Sequence, residues 1–145
     1  MITLQKITNQ DPLYTEMLFL RKRVLLDPLG FPSNFEEIRP KEADHVFWVA
    51  LLDTHLVGCA IYAQRNGLPY IRQVVVSPEY QKQGIGRQLV QAIEQEAQRH
   101  NQKKLFLYAH RDVYLFYTKL GYEATGPWMK QENGLETIEM KKEFS

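Results

Sequence analysis

Apolar and polar residues alternate along the first stretch of the chain, Ile2–Ile7, and this period of two predicts a strand. A helix-start signal follows, in which Asp11 is the N-cap and Pro12 takes the first helical position. Apolar residues at helical spacing come next, so we predict that a first helix runs to about Leu25.

The segment 27–44 has several prolines and little periodicity. Ser33, with Glu36 three residues later, predicts one short capped helical turn within it. Irregular segments of this length in compact domains are often functional. We therefore expect a functional loop here.

Three strands are predicted in the middle of the chain, each largely apolar and bounded by turn signals. They are His45–Leu52, Leu56–Ala63 and Tyr70–Val76. The first two are joined by a three-residue turn and predict a hairpin, and Pro78 ends the third strand.

The second half of the chain predicts two helices and three further strands. They are a helix from about Gly86 to His100, a strand from Lys104 to Ala109, a helix capped by Asp112 and ended by Gly121, and a last strand pair formed by "YEATG" and "LETIEMKK". This order of elements predicts an α+β or mixed α/β sheet domain.

The composition narrows the class of protein. With 145 residues, 44% hydrophobic and 24% charged, the chain fits one globular domain, residues 1–145, with a sizeable core. The formal net charge of +1 predicts neither a nucleic-acid-binding protein nor a membrane-surface protein. No apolar stretch has the length of a signal peptide or a membrane span, so we expect a cytoplasmic protein without nucleic-acid or membrane partners.

Metal and thiol chemistry are not indicated by the sequence. The four histidines lack the spacing of metal ligands, and Cys59 has no cysteine partner. Cys59 lies in an apolar run, which predicts a buried, inert thiol. We expect no bound metal.

The stretch "YQKQGIGRQLV" (80–90) places Gly84 and Gly86 between a strand and an amphipathic helix. Unpaired N–H groups and the macrodipole make a helix N-terminus attract anions, and glycine lets a pyrophosphate come close. A tight turn with a solvated basic face explains the same residues equally well. Two other phosphate motifs fail, because "GIGRQL" lacks the Lys-Ser/Thr of a P-loop and has Leu89 at the third small position of a dinucleotide site.

The segment "VVVSPEYQKQGIGRQLV" resembles the acetyl-CoA-binding signature of the GCN5-related N-acetyltransferases (GNAT). Gln81, Gly84 and Gly86 fill the three defining positions of that signature. "FYTKLGYE" (Phe116–Glu123) resembles the second hallmark of the family at the expected distance. "FLRKRVLL" and "ADHVFWVAL" are similar to the ElaA-like branch of the family.

The resemblance implies an α/β (α+β) acyl-CoA N-acyltransferase fold, with a mixed, mostly antiparallel sheet of about seven strands flanked by helices. It also implies acetyl-CoA as co-substrate. The residues that it places against acetyl-CoA are Val74, Val75, Val76, Gln81, Lys82, Gln83, Gly84, Ile85, Gly86, Arg87, His110 and Tyr117.

Tyr117 matches the family tyrosine that gives a proton to the departing thiolate, so the resemblance implies that it is the general acid. The transfer is close to balanced, because the pKa of a thiol is about 8.5 and that of tyrosine about 10. Periodicity alone favours another interpretation, a core tyrosine on the apolar face of its helix.

The general base and the acceptor site are not assigned by the sequence. Some relatives carry a glutamate where this chain has Tyr70. The remaining candidates for the base, each also explained as a surface or cap residue, are Glu36, Glu37, Asp44, His45 and His110. Arg21 matches an arginine of the branch and is open to two interpretations, a ligand for a substrate carboxylate or a residue on a solvated helix face.

We therefore expect direct transfer of an acetyl group to a primary amine on a small molecule, a peptide or a protein. The alternatives are a non-catalytic CoA-binding or regulatory module, transfer of a different acyl group, and a structural protein whose glycine turn binds nothing. A homodimer is also open, since many relatives dimerise.

Overall fold

In the computed structural model the described residues are 1–30 and 34–144. The strands are β1 (Ile2–Ile7), β2 (Val46–Leu52), β3 (His55–Arg65), β4 (Leu68–Val76), β5 (Lys104–His110), β6 (Glu123–Ala124), β7 (Met129–Lys130) and β8 (Glu136–Glu143). The α-helices are α1 (Leu13–Arg21), α2 (Phe35–Lys41), α3 (Ile85–Arg99) and α4 (Arg111–Lys119). A π-helical segment, Lys22–Leu26, continues α1, and a 3₁₀ turn, Pro78–Tyr80, precedes the glycine stretch.

The described strands form one eight-stranded sheet in the order β1-β2-β3-β4-β5-β8-β6, with β7 also paired to β8. Every neighbouring pair is antiparallel except β4 and β5, which are parallel. The predicted mixed, mostly antiparallel sheet flanked by helices is confirmed. It has one strand more than expected, because the segment before β8 contributes two short strands.

The contact between β4 and β5 is the weak point of this sheet. The two strands share one ladder pair among the described residues, Tyr70 with Phe106. Further along β4, the register against β3 shifts, and Gln73 adopts a left-handed backbone with φ of 49°. The β5-facing edge of Val74–Val76 is therefore left without a strand partner, and we call this opening the β4–β5 gap.

Helices cover both faces of the sheet. On one face, α3 and α4 contribute Ile85, Leu89, Ile93 and Tyr117 to a core cluster. On the other face, α1 packs Tyr14, Met17 and Leu18 against β2 and β3. These are called the α3/α4 face and the α1/α2 face below. Cys59 is buried on the α1/α2 face, as predicted, and burial raises the pKa of its thiol to about 12, so the thiol stays protonated.

Two predicted helix starts differ from the structure. The Asp11 side chain does cap α1, accepting from the Leu13 N–H at 2.9 Å, although the helix itself begins one residue later than predicted. The prediction that Asp112 caps α4 is wrong, because His110 holds the extended cap conformation and Asp112 lies in the first turn. There its negative charge is favourable to the helix dipole.

The segment 27–44 contains more helix than predicted. Helix α2 has seven residues rather than a single turn, and its N-cap is Asn34, which accepts from the Glu36 N–H at 3.0 Å. The predicted cap, Ser33, lies outside the described residues. Asn is as good an N-cap as Ser, so the sequence predicted a capped helix start but placed the cap one residue too early.

Candidate functional site

The glycine stretch folds as a tight loop between β4 and α3. Gln81 donates from its side-chain amide to the Val76 carbonyl at 2.9 Å, which ties the loop to the end of the strand. Lys82 then takes a left-handed backbone with φ of 65°, and Gly84, also left-handed, is the N-cap of α3 with no side-chain cap bond. The first N–H groups of the fifteen-residue helix α3 thus point out of the loop as the donors that a helix N-terminus offers to an anion.

Glycine is required at positions 84 and 86 for different physical reasons. Gly84 has φ of 86°, and a Cβ placed on it would meet no described atom within 4 Å, so the space in front of it is open. A Cβ on Gly86 would lie 3.3 Å from the ring of Phe116. Gly84 therefore supplies the left-handed turn and an open approach to the backbone, whereas Gly86 lets α3 pack closely against α4.

The loop lies directly beside the β4–β5 gap. Val75 is buried, and Val74 and Val76 are half-buried, with Val76 paired to Gly58 of β3 on its other side. The free N–H and C=O groups on the β5-facing edge can accept an extended chain as an added strand. The structure thus brings together the predicted residues of β4 and of the glycine loop.

Tyr117 lies in the core of the α3/α4 face and is 7% exposed. Its ring packs edge-on against Phe116 and Tyr122, with ring centres 5.0 and 5.8 Å away. Burial raises the pKa of Tyr117 above its ordinary value. The phenol therefore keeps its proton at neutral pH, the state that a proton donor needs.

His110 ends β5 and caps α4, and it is half-buried. The next residue, Arg111, lies 4.0 Å over the ring of Trp128 and bonds to Glu136 at 3.0 Å. Trp128 also packs against Tyr114 of α4. These contacts hold the connection between β6 and β7 against the start of α4.

The α1/α2 face carries a buried ion pair that the sequence did not indicate. Arg21 and Glu42, 1% and 3% exposed, are joined by two hydrogen bonds of 2.8 and 2.7 Å. Tyr14 donates to the same carboxylate at 2.6 Å, and Arg21 also donates to the Gln73 side chain at 2.6 Å. Neither sequence-based interpretation of Arg21 describes it, since its guanidinium is enclosed and already bound to Glu42.

A second group on the α1/α2 face was also missed. Tyr70 of β4 stacks on Tyr108 of β5, with ring centres 5.6 Å apart and planes 6° apart. The Tyr70 hydroxyl donates to Glu139 of β8 at 3.2 Å. These residues come from three strands, so no local sequence pattern pointed to their meeting.

The other proposed base candidates lie at the rim of the α1/α2 face. Glu36 and Glu37 are exposed on the first turn of α2. Asp44 and His45 pair at 2.9 Å, and His45 also contacts Arg72 at 3.1 Å. Among the described residues there is no group of three or more His, Cys, Asp or Glu that is arranged to hold a metal ion. No helix within residues 1–30 and 34–144 is long and apolar enough to cross a membrane.

Comparison with solved structures finds the same architecture over the whole chain. The crystal structure of Escherichia coli ElaA superposes with a TM-score of 0.81 at 20% identity, covering 99% of this chain and 100% of that one. An acyl-CoA N-acyltransferase from Pseudomonas aeruginosa gives 0.80 at 22% identity, covering 98% and 99%. A GNAT family acetyltransferase from Elizabethkingia anophelis, solved with acetyl-CoA bound, gives 0.73 at 20% identity, covering 99% and 98%.

Identities this low establish a shared fold. The family itself is established by the sequence model of the acetyltransferase (GNAT) domain, which matches residues 32–144. That match includes the glycine loop, the β4 edge and Tyr117, and therefore all parts of the site on the α3/α4 face. The chain belongs to the GNAT acetyltransferase family and is an acyl-CoA-dependent N-acyltransferase.

Proposed function

We propose that the protein transfers an acetyl group from acetyl-CoA directly to a primary amine, with residues 1–145 acting as one domain. The observation that carries the proposal is the open, left-handed loop at the N-terminus of α3, set beside the unpaired edge of β4. A nucleotide-linked thioester with an extended arm needs both features, one for its phosphates and one for the arm.

The cofactor-binding residues have separable roles in this proposal. Backbone N–H groups from Gln83 to Arg87 hold the pyrophosphate, and Lys82 adds a positive charge. Gln81 keeps the loop attached to β4 through its bond to Val76. The backbone of Val74–Val76 pairs with the pantetheine arm, and His110 borders the same gap from β5.

Acetyl-CoA, when bound, supplies a thioester that an amine nitrogen attacks and a thiolate that leaves. Tyr117 is the general acid and gives its phenolic proton to that sulfur. Its burial suits this role, because a phenol with a raised pKa is neutral before the transfer. In this proposal a backbone N–H near Val76 donates to the thioester oxygen as charge develops on it.

The first test is calorimetric titration of the protein with acetyl-CoA, with ATP and NAD as comparison ligands. We expect saturable binding of acetyl-CoA only. Acetyl-CoA at about 100 times its Kd should also stabilise the fold by about 2.7 kcal/mol. The informative variant is Gly84→Glu, which puts a carboxylate where the pyrophosphate is proposed to lie.

Gly67→Glu is the matched control. Gly67 is also left-handed, with φ of 78° and no described atom within 4 Å of a Cβ, but it lies in the β3–β4 turn. We expect Gly67→Glu to bind acetyl-CoA normally and Gly84→Glu to lose binding. Binding that survives in Gly84→Glu would contradict the proposed phosphate site, and binding without transfer to any amine would favour a regulatory module.

A further inference from the structure

A cavity of about 370 Å³ opens over β5 and β8 and below the β6–β7 connection. Its walls are mostly small, polar or aliphatic: they come from Tyr108, Thr125, Gly126, Pro127, Met129, Gln131, Thr137 and Glu139. Of these described lining residues, Glu139 alone carries a charge at neutral pH. The cavity therefore presents a single carboxylate to whatever enters it.

The Glu139 carboxylate is held in place by hydroxyl groups. Thr125 donates to one carboxylate oxygen at 2.7 Å, and Tyr70 donates to the other at 3.2 Å. A carboxylate has about four lone-pair sites, so both oxygens can still accept from a ligand. Glu139 is half-buried and preorganised, with accepting capacity left over.

The cavity lies on the α1/α2 face. Tyr70 is opposite Ala63, a core residue of that face, and it contacts Tyr108 and Glu139 from above β5. Tyr117 packs on the α3/α4 face instead. Groups from the two faces can thus meet only through an opening in the sheet.

The β4–β5 gap provides that opening. Tyr70 takes part in the one ladder pair at the closed end of the gap, so Glu139 is anchored at that end. Thr137, another lining residue, is opposite His110 at the last residue of β5. The cavity therefore lies over β5 and β8, on the side of β5 away from β4, and the bond from Tyr70 to Glu139 connects it to the closed end of the gap.

We infer that the acceptor amine enters this cavity as an ammonium ion and that the Glu139 carboxylate binds it and takes its proton. This inference rests on the proposed acetyl transfer and assigns the missing base. Glu139 reaches from β8 to the hydroxyl of Tyr70 on β4, at 3.2 Å. The acceptor class is a primary amine whose amine-bearing end is slim enough for the cavity.

The proton balance is complete with the residues named. The ammonium nitrogen carries three protons, and the product amide keeps one. Glu139 takes one proton and later releases it to solvent. The nitrogen then forms a bond to the thioester carbon, and the carbon–sulfur bond breaks. The departing sulfur takes the phenolic proton of Tyr117, and the Tyr117 phenolate takes the second proton that the nitrogen loses.

The surroundings of Glu139 suit this role. Burial, the hydrogen bond with Tyr108 and the charge of Glu139 raise the pKa of Tyr70, so its hydroxyl stays protonated and keeps donating. The other titratable or charged groups near Glu139 come from four strands. They are Tyr108 and His110 on the same face of β5, Arg65 of β3 (5.8 Å from the Tyr108 ring centre), Lys141 of β8, which pairs with Glu143, and Glu123 of β6, which is opposite Lys141.

The test measures CoA release from acetyl-CoA with a thiol reagent, using n-propylamine, spermidine and a lysine-containing peptide as acceptors. Glu139→Gln keeps the shape and one accepting oxygen but cannot take a proton. We expect kcat/KM for the amine to fall about 100-fold at neutral pH. Acetyl-CoA binding by calorimetry should be unchanged.

The pH profile separates a base from a structural residue. Without a base the enzyme can use only the unprotonated amine. The log kcat/KM of Glu139→Gln should therefore rise by about one per pH unit until the pH reaches the amine pKa of about 10.4. The wild type should level off at lower pH. Glu136→Gln, three residues earlier on β8 and paired with exposed Arg111, is the control and should retain the wild-type profile.

The outcomes keep the two proposals apart. Transfer that survives in Glu139→Gln with the wild-type pH profile would overturn the role of Glu139 and leave the acetyltransferase proposal intact. Saturable acetyl-CoA binding by the wild type with no transfer to any of the three amines would overturn both. Loss of acetyl-CoA binding in Glu139→Gln would also overturn the role of Glu139, because it would locate the defect on the cofactor side.

Discussion

The two faces of the sheet are built in different ways. On the α3/α4 face, the proposed cofactor site consists of backbone groups from one continuous stretch, β4, the glycine loop and the start of α3, with Tyr117 following on α4. On the α1/α2 face, the proposed acceptor site consists of side chains from distant strands, as in the bond between Tyr70 and Glu139, 69 positions apart. The residues of the first site are neighbours in the sequence, whereas the order of strands in the sheet brings those of the second together.

Charge is buried differently on the two faces as well. Glu42 on the α1/α2 face is enclosed with a partner, Arg21, that is itself 1% exposed. Glu96, on α3, is also 1% exposed, but its partners Lys6, Arg99 and His100 are each about half exposed. An ion pair on the α3/α4 face can therefore be lost to water at a lower cost in stability than the pair on the α1/α2 face.

The largest effect should come from breaking the enclosed pair with Glu42→Ala. This variant leaves the buried Arg21 guanidinium unpaired, which typically costs about 3–5 kcal/mol. We expect that loss in the free energy of unfolding measured with urea. The double variant Arg21→Met/Glu42→Leu should recover most of it, and a double variant as unstable as the single one would mean that packing, not charge, is responsible.

Tyr117→Phe should have the next largest effect, on activity alone. Removing the proposed general acid should lower kcat about 100-fold, equivalent to about 2.7 kcal/mol, with acetyl-CoA binding unchanged. Tyr114→Phe, on the same helix but packed on Trp128, is the control and should keep wild-type kcat. Equal kcat in wild type and Tyr117→Phe would leave Tyr117 as a core residue only.

The contribution of Glu96 to the free energy of unfolding should be smaller and should depend on pH. Burial opposes its ionisation, but hydrogen bonds from Lys6, Arg99 and His100 outweigh burial and lower its pKa to about 2. Because the folded pKa is below the ordinary value of about 4.3, the stabilisation is complete above that value and is lost as pH falls towards 2.

The size of this effect should be about 1–2 kcal/mol, since the exposed partners are screened by solvent. Urea unfolding at pH 7 and pH 3 measures it, with Glu96→Gln as the variant in which the pH dependence should flatten. A variant that loses stability between these pH values as steeply as the wild type would assign the acid sensitivity to Glu42, whose pKa is also lowered.

The smallest expected effect is the loss of stability when either of two left-handed glycines is replaced. Gly84→Ala and Gly67→Ala each add a Cβ in open space at φ of 86° and 78°, so each should cost about 1 kcal/mol of stability. The costs should be nearly equal, while acetyl-CoA affinity should fall only for Gly84→Ala. A much larger stability cost at Gly84 would mean that the loop is under strain that the structure does not account for.

Most of the fold could be predicted from the sequence, because its strands and helices carry clear periods. The glycine loop was found for the same reason, since its residues are contiguous and lie between a strand and a helix. Glu139 was not found, because on β8 it is one of several alternating polar residues. Its partners become visible only when the parallel β4–β5 contact is known.

The Arg21–Glu42 pair escaped prediction for a related reason. An arginine near the end of an amphipathic helix is normally solvated, and nothing in the adjacent residues signals that α2 and Gln73 close over it. Its burial depends on where α2 ends and on the left-handed residue in β4. Both are consequences of tertiary packing rather than of local propensity.

The single ladder pair between β4 and β5 also has a mechanical consequence. It leaves two parts of the sheet, β1–β4 and β5 with β6–β8, joined by one ladder pair among the described residues, so we expect bending to be concentrated at Tyr70 and Phe106. Helix α3 packs on strands of both parts and braces this hinge. Small rotations of one part against the other would change the width of the gap, and with it the spacing between the proposed cofactor and acceptor sites.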